Sequence, residues 1–296
     1  MFSTFICEYL GHPVKLDLLF KRCPEAFGPL EPPPSSIYAL DVVEWGALAK
    51  PAFTIWPSHQ HGTLLGWRQE NGSYRRFELF RQEYIQIVQH EKANHWACDI
   101  SEVDGFASSK SQLTKFKTTD DMVETNSQEL ISEITHEKLT SNLAHKEIRI
   151  IHSPGSDYFC RSLWDGKLFL INSGGSHHLA AAKYIAKRLK QQVLLKGTLN
   201  TYRLNFDAIK SLQHDFEIFV INGNSAIEYE FKLAMESFRA TWLSHSMPSP
   251  YHEAFAVVLP KAEWRSMKVA TWLTQVGATN LGEYLIALAS KQSTKI

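Results

Sequence analysis

The stretch Asp165–Lys190, DGKLFLINSGGSHHLAAAKYIAKRLK, carries the decisive local reading. Lys167 to Ile171 is a short apolar strand, Asn172 to Ser176 a turn of small polar residues, and the Ala-rich run from Leu179 a helix. Two adjacent histidines, His177 and His178, stand at the entrance to that helix. A glycine turn opening a helix leaves backbone N–H groups unpaired and aims them, with the positive end of the helix dipole, at one spot. That spot suits an anion.

Working outward, Tyr158 to Leu163 pairs with Lys167 to Ile171 as a hairpin, because Asp165-Gly166 is a favoured turn dipeptide. Glu147 to His152 and Val193 to Arg203 read as further strands, the second bulged at Gly197, and Phe216 to Ile221 as another. Helices are expected at Ala226–Phe238, Lys261–Leu273 and Leu281–Ser290. Upstream, Pro29 to Ser36 is an extended connector and Ile37–Val43 and Phe53–Trp56 read as strands. Gly62–Trp67 and Tyr74–Leu79 form a hairpin around Glu70-Asn71-Gly72. Phe80 to His90 fits helix or strand equally. Ser101 to Asn126 lacks apolar periodicity and reads as a linker or long exposed loop, and Ser127 to Leu143 recovers a helical pattern. The expected class is α+β, with an N-terminal region over 1–125 and an α/β domain with C-terminal helices over 126–296. Whether the two are one continuous domain is left open.

Composition sets the remaining bounds. Over 296 residues, 44% are hydrophobic and 21% charged, which describes a globular chain with a substantial core. Lys plus Arg and Asp plus Glu are 31 each, so no global field draws the protein to nucleic acid or an anionic membrane. The four cysteines, Cys7, Cys23, Cys98 and Cys160, form no CxxC pair, which argues against a zinc knuckle or a disulfide scaffold. Glu8 interrupts the apolar start, no basic region precedes it, and no run approaches the roughly 20 apolar residues of a bilayer span. A cytoplasmic setting is expected.

Asp165-Gly166, the strand, then Gly174-Gly175-Ser176-His177-His178 and the Ala-rich helix resemble the signature of the ParB/sulfiredoxin-like fold over about Glu147 to Arg203. The resemblance implies a mixed sheet around a strand-turn-helix core and a turn that binds nucleotide phosphates. Its members include CTP-hydrolysing partitioning proteins, ATP-using sulfiredoxins and small-molecule kinases. Three departures stand out. His178 occupies the position of the family's phosphate-binding arginine, so affinity would depend on pH. Ser176 stands where sulfiredoxins carry the reactive cysteine, and no helix-turn-helix with a basic recognition helix follows the motif.

The resulting expectation is a site for a nucleotide or phosphorylated small molecule, with Gly174, Gly175 and Ser176 holding phosphate oxygens and His177 or His178 donating or moving a proton. Arg161, Arg203 and Asp165 are placed beside it, the arginines to neutralise phosphate. Asp157, Asp165 and Glu147 are the carboxylates near enough in sequence to hold Mg²⁺ with a nucleotide. The motif does not decide between binding and phosphoryl or nucleotide hydrolysis. The alternative is a non-enzymatic regulatory or protein-interaction protein that keeps the fold as a scaffold, its glycines serving a tight turn and its histidines covering a helix start. His59 and His61 have the HxH spacing of metal ligands, but a polar loop accounts for them and no metal is assigned. Lys183, Lys187, Arg188 and Lys190 read as a solvated helix face, and Trp242, Trp264 and Trp272 as core or interface anchors.

Overall fold

A computed structural model of the chain describes residues 11–50 and 60–292. The expected strand at Phe53–Trp56, the apolar start and His59 lie outside them. The protein is α+β, with ten α-helices and two five-stranded sheets among the described residues, numbered α1–α10 and β1–β10 along the chain. It forms two compact units that interleave in sequence rather than dividing near residue 125. One takes the described residues of Met1–Pro32, Glu44–Val88 and Leu204–Thr294, the other those of Pro33–Val43 and Gln89–Arg203. The first crossing falls inside the proline run expected to be a connector.

The first unit is built on an antiparallel sheet in the order β2–β1–β9–β10–β8. Strands β1 (Thr63–Glu70) and β2 (Ser73–Phe80) are the expected hairpin, and Asn71 and Gly72 take the positive φ values, 49° and 80°, that its tight turn requires. Three strands, β8 (Phe216–Asn222), β9 (Trp242–Ser246) and β10 (Ala254–Pro260), are almost wholly buried. Exposed β2 makes one edge and carries Arg75, Arg76 and Glu78, charges that discourage further pairing. Helices α1 (Val14–Arg22), α8 (Ser225–Phe238) and α9 (Trp264–Gln275) bury Leu16, Phe231, Met235 and Val269 in this core. Trp242 is fully buried and stacks on Trp67 at 4.8 Å, whereas Trp264 is 57% exposed.

The second unit holds a mixed sheet in the order β3–β7–β5–β6–β4. Strands β5 (Tyr158–Ser162) and β6 (Leu168–Ile171) are the expected antiparallel hairpin. Strand β7 (Leu194–Leu204) runs parallel to β5, and β4 (Gly105–Phe106) parallel to β6. Long β3 (Val88–Asp99) forms one edge. Helix α6 (Ser176–Leu189) sends Leu179, Ala180, Ala181, Ala182, Ile185 and Ala186 into the core. A run of three alanines gives a flat surface onto which α3 (Thr119–Asn126) and α4 (His136–Leu143) pack closely.

Three expectations for this unit are corrected. Residues 101–126 are not an exposed linker: Val103, Phe106, Leu113, Phe116, Met122 and Val123 are core residues, too irregularly spaced to give a period. Ile37 to Val43 is not a strand but a single bridge at Tyr38 and a 3₁₀ turn over Ala39–Asp41. The segment Glu147–His152 turns into a short helix, α5 (Arg149–His152), because the chain must bend to lay Glu147 against the glycine turn while burying Ile148 and Ile150.

Candidate functional site

Strand β6 delivers the chain to Asn172, whose buried side chain organises the turn. Its Oδ1 accepts from the N–H groups of Ala107 and Ser108 at 3.2 and 3.1 Å, and its Nδ2 donates to the carbonyls of Ser108 and Gly174 at 3.0 and 2.9 Å. One amide thus ties the loop after β4 to the start of α6. Gly175 then takes φ +72°, and a Cβ there would lie 2.6 Å from the Glu147 carbonyl oxygen, so the turn needs glycine on two counts. Gly174 is less constrained, since its Cβ would meet Glu147 at an ordinary 3.4 Å.

These contacts open a cavity of about 630 Å³ at the N-terminus of α6. Gly174, Gly175, Ser176, His177 and His178 all line it, as the sequence motif suggests. Ser176 is buried and makes no side-chain cap bond, and Gly175 stands at the N-cap. The first-turn N–H groups therefore face the cavity without intrahelical acceptors.

The two histidines differ. His177 is held at both ring nitrogens, Nε2 with Ser111 Oγ at 3.1 Å and Nδ1 with the buried Ser127 Oγ at 2.5 Å, and Ser111 Oγ also accepts from Asn126 Nδ2 at 2.7 Å. His178 Nδ1 bonds Asn142 Oδ1 at 3.1 Å and its ring stacks on His145, centroids 3.7 Å apart and 12° from parallel. Its Nε2 has no partner among the described residues, which makes His178 the imidazole with a nitrogen to offer. Burial pushes both pKa values below the usual histidine range. Neighbouring imidazoles reinforce this at His178 and Lys110 does so at His177, against an opposing pull from Glu129 on both.

Charge comes from residues the sequence reading passed over. Arg149, at the start of α5, lines the cavity and donates from Nη1 to Ser173 Oγ at 2.8 Å. Ser173 in turn donates to Oδ1 of the buried Asp157 at 3.1 Å. The second Asp157 oxygen is buried without a hydrogen-bond partner among the described residues. Lys110 adds a second cation, and Glu129 and Glu147 line the same cavity. Reading Glu147–His152 as a strand hid Arg149, because alternation along a strand gives no reason to turn it toward Gly174.

Arg161, Arg203 and Asp165 are not brought to this cavity, and the hairpin register explains why. Tyr158 pairs with Ile171 beside the glycine turn, whereas Arg161 pairs with Leu168 at the other end of the hairpin, next to the loop that carries Asp165. Arg203 lies one residue past Tyr202, the partner of Ser162, at that same far end. Arg161 instead sits over the Trp96 ring at 5.8 Å, and Arg203 faces Glu91 at 3.9 Å. No group of three or more His, Cys, Asp or Glu is arranged to hold a metal among the described residues. No helix among them is long and apolar enough to cross a membrane.

Residues 93–296, more than two-thirds of the chain, match the sequence model of a family of unknown function, DUF6685. The chain belongs to this family. The matched span contains every residue that lines the cavity, so the DUF6685 region carries the whole site. No curated protein and no solved structure matches the chain.

Proposed function

We propose that the second unit binds a nucleotide or other phosphorylated small molecule, its phosphate seated on the first turn of α6, with the strand-turn-helix acting as the phosphate-binding element of a ParB/sulfiredoxin-like fold. The observation that carries this reading is the meeting of the Gly174–His178 turn with Arg149. The motif has histidine where its relatives in resemblance have arginine. Arg149 supplies from another segment the permanent charge that His178 lacks near neutral pH. Backbone N–H groups would hold phosphate oxygens, and His178 Nε2 would donate to them when protonated. Glu129 and Glu147 are the carboxylates available to a Mg²⁺ ion arriving with a nucleotide.

Binding is favoured over hydrolysis by the state of His177. Both of its ring nitrogens are occupied by serine hydroxyls, so it serves as a strut of the cavity, and proton transfer would fall to His178 alone. Cys23, Cys98 and Cys160 are free thiols, which supports a cytoplasmic setting.

Thermal shift with ATP, CTP, GTP and orthophosphate, each with and without Mg²⁺, tests the proposal, since a ligand selective for the native state raises Tm by mass action. At least one of these ligands should stabilise the protein, and Arg149→Gln should weaken its binding about tenfold, the worth of one charge-assisted pair. No shift with any of them, or a shift indifferent to Arg149→Gln, would falsify the assignment.

A further inference from the structure

A second polar cavity lies along the flank of α6 and shares no lining residue with the first. It measures about 540 Å³ and four lysines line it: Lys117 from the segment before α3, Lys167 from the residue before β6, and Lys183 and Lys187 one turn apart on α6. Lys183 lies seven residues beyond Ser176, about 10 Å along the helix axis, so the two cavities are distinct stations on one helix.

None of these four ammonium groups forms an ion pair within 4 Å among the described residues. Two are fixed by neutral oxygens instead. Lys183 Nζ donates to the Val103 carbonyl at 2.5 Å, and Lys167 Nζ to Ser35 Oγ and the Ser36 carbonyl at 3.0 and 3.1 Å. Two carboxylates, Asp104 and Asp120, also line the cavity, but both are engaged. Asp104 accepts from the Leu168 N–H at 2.8 Å, and Asp120 faces Arg188 at 3.5 Å. Burial lowers the pKa of Lys183, with Asp104 and Asp120 pulling the other way. Holding four like charges around one space costs free energy that a counter-anion would relieve. The start of α3 borders the same space, where Thr118 and Asp121 close a reciprocal capping box.

We propose that this cavity is a second anion site that takes a compact polyanion bearing at least two negative charges, a pyrophosphate or oligophosphate group. Four cations against two carboxylates leave a surplus of two, which a monoanion cannot balance. The lysines line one cavity of about 540 Å³ instead of running as a stripe, so the ligand they fit is small. Point-charge ammonium groups impose no planar geometry, which suits a flexible phosphate chain.

Calorimetric titration of the full chain with pyrophosphate and tripolyphosphate, against sodium chloride at matched ionic strength, tests this. Saturable binding is expected, weakened about tenfold by Lys117→Gln and by Lys187→Gln. Both positions are exposed, so folding should survive, and Lys183→Gln should have a similar effect if it folds. Arg149→Gln and His178→Gln should affect only binding at the glycine turn and leave a component that depends on Lys117 and Lys187, which separates the two sites. Absence of saturable binding overturns the proposal. So does binding indifferent to Lys117→Gln and Lys187→Gln, or binding lost in Arg149→Gln alone.

Discussion

The two cavities on α6 meet the problem of attracting an anion in opposite ways. At the N-terminus the polar groups are largely satisfied by one another: His177 by two serines, His178 by Asn142 and His145, and Arg149 by Ser173. Along the flank Lys183 and Lys167 bond to carbonyls, and four cations share the cavity with only two carboxylates. The first site is therefore specified by backbone geometry and the second by charge surplus. One should respond sharply to substitutions that move the backbone and to pH, the other to ionic strength.

The largest test of that contrast is Gly175→Ala. The residue would sit at φ +72°, with its Cβ at 2.6 Å from the Glu147 carbonyl oxygen, so both strain and collision act together. A loss of about 3 kcal/mol or more is expected in denaturant unfolding. Gly174→Ala, whose Cβ meets only ordinary contacts, should cost far less. Equal effects at the two glycines would show that the turn is not the organising element of the first cavity.

Asn172→Ala should come next, at about 2 kcal/mol, because it leaves the carbonyls of Ser108 and Gly174 and the N–H of Ser108 without this partner in a buried setting. Ala107 N–H keeps its bond to the Leu170 carbonyl and softens the loss. The flank cavity draws on none of these groups, so pyrophosphate binding there should survive in Asn172→Ala. Concurrent loss at both sites would mean that the cavities are coupled through α6.

The strand, glycine turn and helix were legible because each is written in neighbouring residues: an apolar run, two glycines and an alanine face. Asn71-Gly72 announced its hairpin for the same reason. What escaped the sequence depends on long-range placement. Arg149 reaches the cavity because Glu147 must pack on Gly175, a contact between residues 28 positions apart that no local period records. Arg161 looked adjacent to the motif, yet the antiparallel register carries it to the other end of the hairpin. Residues 101–126 looked like a linker because their buried side chains are spaced irregularly, and they supply Ser108, Ser109, Lys110 and Ser111 to one cavity and Lys117 to the other. Lys183 and Lys187 read as a solvated face, and only the packing of α3 beside α6 gives them a shared enclosure.

The smallest expected effect is the pH dependence that belongs to the first cavity. His177 and His178 both have pKa values lowered in the folded state, chiefly by burial. Between the folded value and the unfolded one near 6.5, the unfolded chain binds more protons, so stability rises with pH across that window and falls as the solution is acidified through it. His245, buried in the other unit, shifts in the same sense, so the slope of the whole protein identifies neither region. The difference between wild type and His178→Gln does. Tm measured from pH 8 to 5.5 should fall less steeply in the variant. Orthophosphate at saturating concentration should flatten the wild-type slope as well, because an anion at Nε2 favours the imidazolium and raises the folded pKa back toward its ordinary value. Lys117 lines only the flank cavity, so Lys117→Gln should leave the slope unchanged. A variant slope equal to that of wild type would remove His178 from the set of groups that sense an anion at the turn.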